Sequence, residues 1–119
     1  MTTRAPISLE IDQGDDEVLL VNVKDSEGEP ANITGCLLTF RIRTSAAVDP
    51  LITKETADGI THTNDAEGAA SISISAEDTE VLAAQYLGRS LKWELDVLDT
   101  MMKVTTLARG TIVINRDLA

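Results

Sequence analysis

Apolar and polar residues alternate with a period of two along most of the chain, in short runs separated by Gly, Asp, Asn and Pro. This is the pattern of strands with one buried face. Ile7, Leu9 and Ile11 alternate with Ser8, Glu10 and Asp12, which predicts a first strand at a sheet edge. Residues 18–23 are apolar almost throughout, so an interior strand covered on both faces is expected, ended by Asp25, Gly28 and Pro30. Cys36, Leu38, Phe40 and Ile42 share one face of the next strand, and Thr39, Arg41 and Arg43 share the other. After Pro50, residues 52–55 read as a short edge strand, closed by Asp58 and Gly59.

Residues 60–64, a turn over 65–68, and Ala70, Ile72 and Ile74 opposed by Ser71, Ser73 and Ser75 predict a hairpin with a solvated outer face. Ser75 is a helix cap, and Glu77 and Asp78 favour the positive end of the helix dipole. One short helix is therefore expected over 76–84, with Val81 and Leu82 turned inward. Leu91, Trp93, Leu95 and Val97 alternate with Lys92, Glu94 and Asp96 in the clearest strand of the chain. A turn over 99–102 leads to a closing strand, 104–115, whose apolar parity changes near Gly110 as a β-bulge requires.

About seven to nine strands and one helix define an all-β fold of sandwich type, and the 119 residues are one domain's worth. Residues 1–6 lack a pattern and read as a flexible arm. Only 3% of the residues are aromatic, so Val, Ile and Leu must build the core, with Phe40 and Trp93 as anchors.

The net charge of −10 repels phosphate backbones and anionic lipid, so neither nucleic acid nor membrane is an expected partner. No run is long enough for a signal peptide or a membrane span, so the protein is expected to be made and kept in the cytoplasm, or built into a particle assembled there. Cys36 is the only cysteine, which excludes an internal disulfide, and it reads as a small core residue.

Candidate chemistry is sparse. His62, the one histidine, lies between Thr61 and Thr63 at an expected exposed strand position. Asp12, Asp15, Asp16 and Glu17 gather carboxylates on a turn, but the Asp-x-Asp-x-Asp-Gly order of a calcium loop is missing, so they read as an acidic turn. One Cys and one His cannot hold structural zinc, and the glycines are scattered singly rather than forming a phosphate loop. No catalytic residue, metal, cofactor or small-molecule substrate is expected. Leu98, Met101, Met102 and Val113 fall outside the inward parity or in a turn, which makes them candidate interface residues.

The stretch 33–115, with "ITGCLLTFRIR", the Asp65 to Gly68 turn into "AASISI", the helical link, "LKWELDVLD" and "VTTLARGTIVIN", resembles the immunoglobulin-like domains of tailed-bacteriophage virion proteins. Upper-baseplate N-terminal domains and small head- or tail-associated proteins are the members it is similar to. The resemblance implies an immunoglobulin-like β-sandwich. It also implies a non-enzymatic structural role at the head, neck, tail or baseplate, as capsid decoration or as an attachment adaptor. The implied partners are other virion subunits in multiple symmetric copies, and the implied location is the virion. Upper-baseplate proteins continue into fibre regions, whereas this chain ends at Ala119, which favours a free-standing accessory protein. The alternative is a cytoplasmic protein-binding adaptor with the same fold.

Overall fold

The computed structural model describes residues 7–12, 14, 16–24, 27–44 and 50–115. The expected arm, 1–6, and Asp15 lie outside the described residues. The fold is mostly β with one helix. Its elements are β1 (Ile7–Asp12), β2 (Glu17–Asn22), β3 (Leu37–Arg43), β4 (Ile52–Thr56), β5 (Gly59–Asn64), β6 (Ala69–Ile74), α1 (Ala76–Tyr86), β7 (Ser90–Leu98) and β8 (Val104–Asn115), with a 3-10 turn over Asp65–Glu67. The eight strands form one mixed sheet in the order β1-β8-β7-β3-β4-β5-β6-β2.

The first and last strands of that order are consecutive in sequence. Five residue steps separate Asp12 from Glu17, a reach of at most about 18 Å. The two ends of the sheet must therefore come together, and the sheet curls so that one face closes upon itself. The lining matches: Leu38, Phe40, Ile42, Leu91, Trp93, Leu95, Val97, Ile112 and Ile114 from one half join Ile60, Ala70, Ile72 and Ile74 from the other in a single buried cluster. Phe40 and Trp93 meet with ring centroids 5.7 Å apart, and the Trp93 indole N–H donates to the Thr111 carbonyl at 3.1 Å. Both are the core anchors that the alternation of their strands predicts.

β1 lies at a sheet edge as expected, parallel to β8. β2 does not lie in the interior. It is the terminal strand, paired among the described residues with β6 alone, and Val18 and Leu20 are 58% and 80% exposed. Its apolar run misleads because Leu19 and Val21 supply the inward face, while Val18 and Leu20 stand opposite Ser73 and Ser71 on the outer one. β4 is likewise no edge: it is antiparallel to β3 and, over two residue pairs, parallel to β5.

The register shift of β8 falls not at Gly110, which pairs with Trp93, but at Leu107, the extra residue between Thr106 opposite Asp96 and Ala108 opposite Leu95. Cys36 is half-buried at the rim rather than within the core.

The helix starts where its cap predicts. Ser75 Oγ accepts from the Asp78 N–H at 3.1 Å, and Asp78 Oδ2 accepts from the Ser75 N–H at 2.9 Å, a reciprocal capping box. The helix runs two residues beyond 84, to Tyr86. Thr79, Leu82 and Ala83 follow the i, i+3, i+4 spacing of one helix face and are buried, whereas Val81, two residues after Thr79, falls off that face and is exposed. The Thr79 hydroxyl oxygen also accepts the Gly14 N–H at 2.9 Å, which ties the β1–β2 turn to the helix.

Gly68 adopts φ +71°, and a Cβ there would lie 2.5 Å from the Val23 carbonyl oxygen and 2.6 Å from that of Ala31. Gly28 has φ +82° with open space around it. Urea unfolding should therefore show Gly28→Ala costing about 1 kcal/mol, the left-handed penalty alone. Gly68→Ala should cost about 3 kcal/mol, because backbone crowding adds to that penalty.

Burial pushes the Asp78 carboxyl upward. The opposing hydrogen bonds from Lys54 and Ser75, with the nearby Lys54 charge, outweigh it and hold the carboxyl below its ordinary value. The Lys54 Nζ to Asp78 Oδ2 distance is 2.7 Å. A carboxyl depressed by folding stabilises the fold above its unfolded pKa, and the contribution disappears as pH falls through the folded value. Asp78→Asn should therefore be less stable than the parent at pH 7, and the gap should close as unfolding is measured below the ordinary value of 3.8.

Candidate interaction surface

Strand pairing decides which outward side chains meet. On the outer face of β3, β7 and β8, Leu37 stands opposite Leu98, and Leu98 opposite Val104. This apolar row crosses three strands at one end of the sheet. Two residues further along, the row is Thr39, Asp96 and Thr106, and the next is Arg41, Glu94 and Arg109. The face therefore grades from apolar at its tip to charged at its middle.

Arg41 Nη1 lies 2.9 Å from Asp96 Oδ2 and 3.9 Å from Glu94 Oε1, and Arg43 Nη2 lies 3.2 Å from Glu94 Oε1. Such half-exposed pairs contribute roughly 0.2–1 kcal/mol each and order the face more than they stabilise it.

The β7–β8 turn extends the apolar row. Asp99 Oδ1 accepts the N–H groups of Met101 and Lys103 at 2.9 and 3.0 Å, and the Asp99 N–H donates to the Lys103 carbonyl at 3.0 Å. A carboxylate holding a turn from inside leaves the turn's side chains pointing outward. Met101 and Met102 are 87% and 76% exposed, beside exposed Leu37 and Val104 and half-buried Leu98. Met102 sits at φ +64°, a conformation that disfavours any residue with a Cβ.

Of the four candidate interface residues, Leu98, Met101 and Met102 come together here. Val113 does not: it pairs with Ser90 at the far end of β8, roughly 30 Å along the strand from Val104. The pattern of the chain misses Leu37 and Val104. Leu37 breaks the alternation of its strand, which is a usable signal, and Val104 is turned outward only by the bulge at Leu107.

His62 is not a free strand residue. Its Nε2 lies 2.9 Å from Thr56 Oγ1 and its Nδ1 lies 2.8 Å from Asp65 Oδ1. Thr56 Oγ1 also accepts the Leu38 N–H at 2.8 Å. In the neutral imidazole, the Thr56 hydroxyl donates to Nε2 and Nδ1–H donates to the carboxylate. Hydroxyl, imidazole and carboxylate stand in the sequence of a hydrolytic triad, but the hydroxyl oxygen is held against a strand amide. The row ties β3, β4, β5 and the 3-10 turn together.

The Cys36 thiol is pushed above its ordinary range, first by burial and then by the charges of Asp99 and Asp65, which leaves it protonated and a poor nucleophile.

In the acidic turn, Asp16 Oδ1 accepts the Ala76 N–H at 2.6 Å and so helps to cap the helix. Among the described residues, no group of three or more His, Cys, Asp or Glu is placed to hold a metal ion. No helix in the described residues is long and apolar enough to cross a membrane. Neither family models nor curated proteins match the sequence.

Met102→Gly should raise stability by about 1 kcal/mol in thermal or urea unfolding, because it removes the left-handed penalty without touching the core.

Proposed function

We propose that the chain is an immunoglobulin-like β-sandwich serving as a non-enzymatic structural component of a tailed-phage or prophage virion. In this reading it binds neighbouring subunits through the Leu37–Leu98–Val104 end of the sheet. Strand order supports the sandwich. β3, β7 and β8 stand side by side, as do β5, β6 and β2, and chain connections pass between the two sets. Immunoglobulin folds of seven strands set the second, fifth and fourth against the third, sixth and seventh, and the two sets here correspond to these when β4 is counted as an added strand between them. β1 then adds to the closing strand. The resemblance of residues 33–115 to phage virion domains supports the biological setting.

The observation that carries the binding role is the apolar row across three strands, prolonged by two methionines on a turn that Asp99 holds outward. Contiguous exposed apolar surface of this kind marks an interaction site more often than a solvated one. Methionine adapts its shape to a partner, and its long unbranched side chain supplies contact area.

The face behind the row adds orientation. It carries Arg41, Arg43, Lys92 and Arg109 against Glu94 and Asp96, four positive charges less two negative, on a chain whose total is −10. A partner surface with an acidic margin would be steered to it.

Mass spectrometry of purified virions should recover this polypeptide in a copy number that is a multiple of the particle's local symmetry, and its absence from virions overturns the assignment. Recovery of a non-virion protein instead would favour the adaptor reading. Leu37→Lys with Val104→Lys should reduce incorporation at least tenfold while leaving the unfolding midpoint unchanged, since both side chains are exposed.

A further inference from the structure

We infer that β2 is a self-pairing edge through which two copies of this chain join their sheets. β2 ends the strand order, and β6 is its one strand partner among the described residues. The Val23 N–H donates to the Gly68 carbonyl at 2.8 Å, continuing the β2–β6 ladder by one residue. Hydrogen-bonded pairs alternate along an antiparallel ladder, so Val21, Leu19 and Glu17 also direct their backbone groups toward β6. The N–H and C=O groups of Val18, Leu20 and Asn22 therefore point along the outer edge. Between Val18 and Asn22 the edge carries no proline, bulge or charge; the one inward-phase charge of the strand, Glu17 opposite Ile74, sits at its first residue. Val18 and Leu20 stand exposed on the adjoining outer face.

The sequence of this edge is its own antiparallel complement. With a two-fold axis at Leu20, Leu20 meets Leu20 of the second copy, Val18 meets Asn22, and Leu19 meets Val21 on the inner face. Asp16 meets Lys24 at both ends, and both of these residues are exposed. Shifting the axis to Leu19 sets Asp16 against Asn22, and shifting it to Val21 sets Val18 against Lys24, so unlike charges oppose each other only in the Leu20 register. In that register, the outward backbone groups of all three residues fall in hydrogen-bonding pairs. Opposite charges directly across a ladder favour a register, and like charges disfavour it. The contact is isologous, which closes as a dimer. Each chain carries −10, so long-range repulsion opposes association and salt, by screening it, strengthens the dimer.

This edge lies at the opposite end of the strand order from the β3–β7–β8 face, and it does not rest on the virion assignment. Sedimentation equilibrium of the full chain over a range of concentrations tests it, together with amide hydrogen exchange. The expected result is a reversible dimer that tightens with salt, with the Val18, Leu20 and Asn22 amides protected increasingly as concentration rises. Leu20→Lys places two ammonium groups face to face on the axis, and should weaken the dimer at least tenfold without moving the unfolding midpoint at concentrations low enough for the parent to be monomeric. Lys24→Asp should weaken it by a smaller factor. A chain that sediments as a monomer at every concentration overturns the inference, as does a dimer that leaves these three amides unprotected or survives Leu20→Lys. Protection of the edge only on adding a different protein also overturns it, and assigns the edge to a foreign strand.

Discussion

Eight strands in one hydrogen-bonded order offer two faces to water, and an eleven-residue helix covers little of either. The sheet buries a face by curling on itself, and the short link between β1 and β2 makes that curl obligatory. The rest of the architecture depends on this closure. Inward residues from strands far apart in the chain become one core, and the helix is tied to the β1–β2 turn by Thr79 and Asp16 and to β4 by the Lys54–Asp78 pair. Few aromatic rings are needed, because branched aliphatic side chains from facing strands fill the narrow interior.

Closure has a second consequence. A curled sheet keeps two free edges unless they pair, and here β1 and β2 are those edges. β1 is shielded on one side by β8, and β2 on one side by β6. On the outer face of β2, Val18 and Leu20 are exposed where an edge in solution usually carries charge.

The strands with strong contrast between their faces are legible in the sequence. β3, β6 and β7 bury every second residue, and their inward sets are those that the alternation names. The helix start is legible too, because Ser75 and Asp78 carry the bonds that stop the preceding strand. Legibility fails where both faces carry apolar residues. In β2, a continuous run suggests burial on two sides, yet pairing order depends on long-range partners that local pattern does not contain. The place of β4 in the sheet is hidden for the same reason. The apolar end of the β3–β7–β8 face is visible in part: Leu98, Met101 and Met102 break the pattern openly, but their neighbours Leu37 and Val104 are joined to them only by register. The Thr56–His62–Asp65 row is invisible because its members come from three elements, and only the three-residue spacing of His62 and Asp65 is local.

The bulge at Leu107 divides the closing strand in two. From Ala108 to Ile114, the even-numbered side chains of β8 face the core, and the same phase carried backwards would send Thr106 and Val104 inward. One supernumerary residue reverses the phase, so the two ends of a single strand obey opposite rules. At the tip of the hairpin, the outward positions Val104 and Thr106 are thereby released from the interior, while Thr105 keeps the inward phase opposite Val97. A strand of this kind acts as two segments in opposite phase: one sends Ile112 and Ile114 into the packed interior, the other turns Val104 toward whatever surface the molecule must meet.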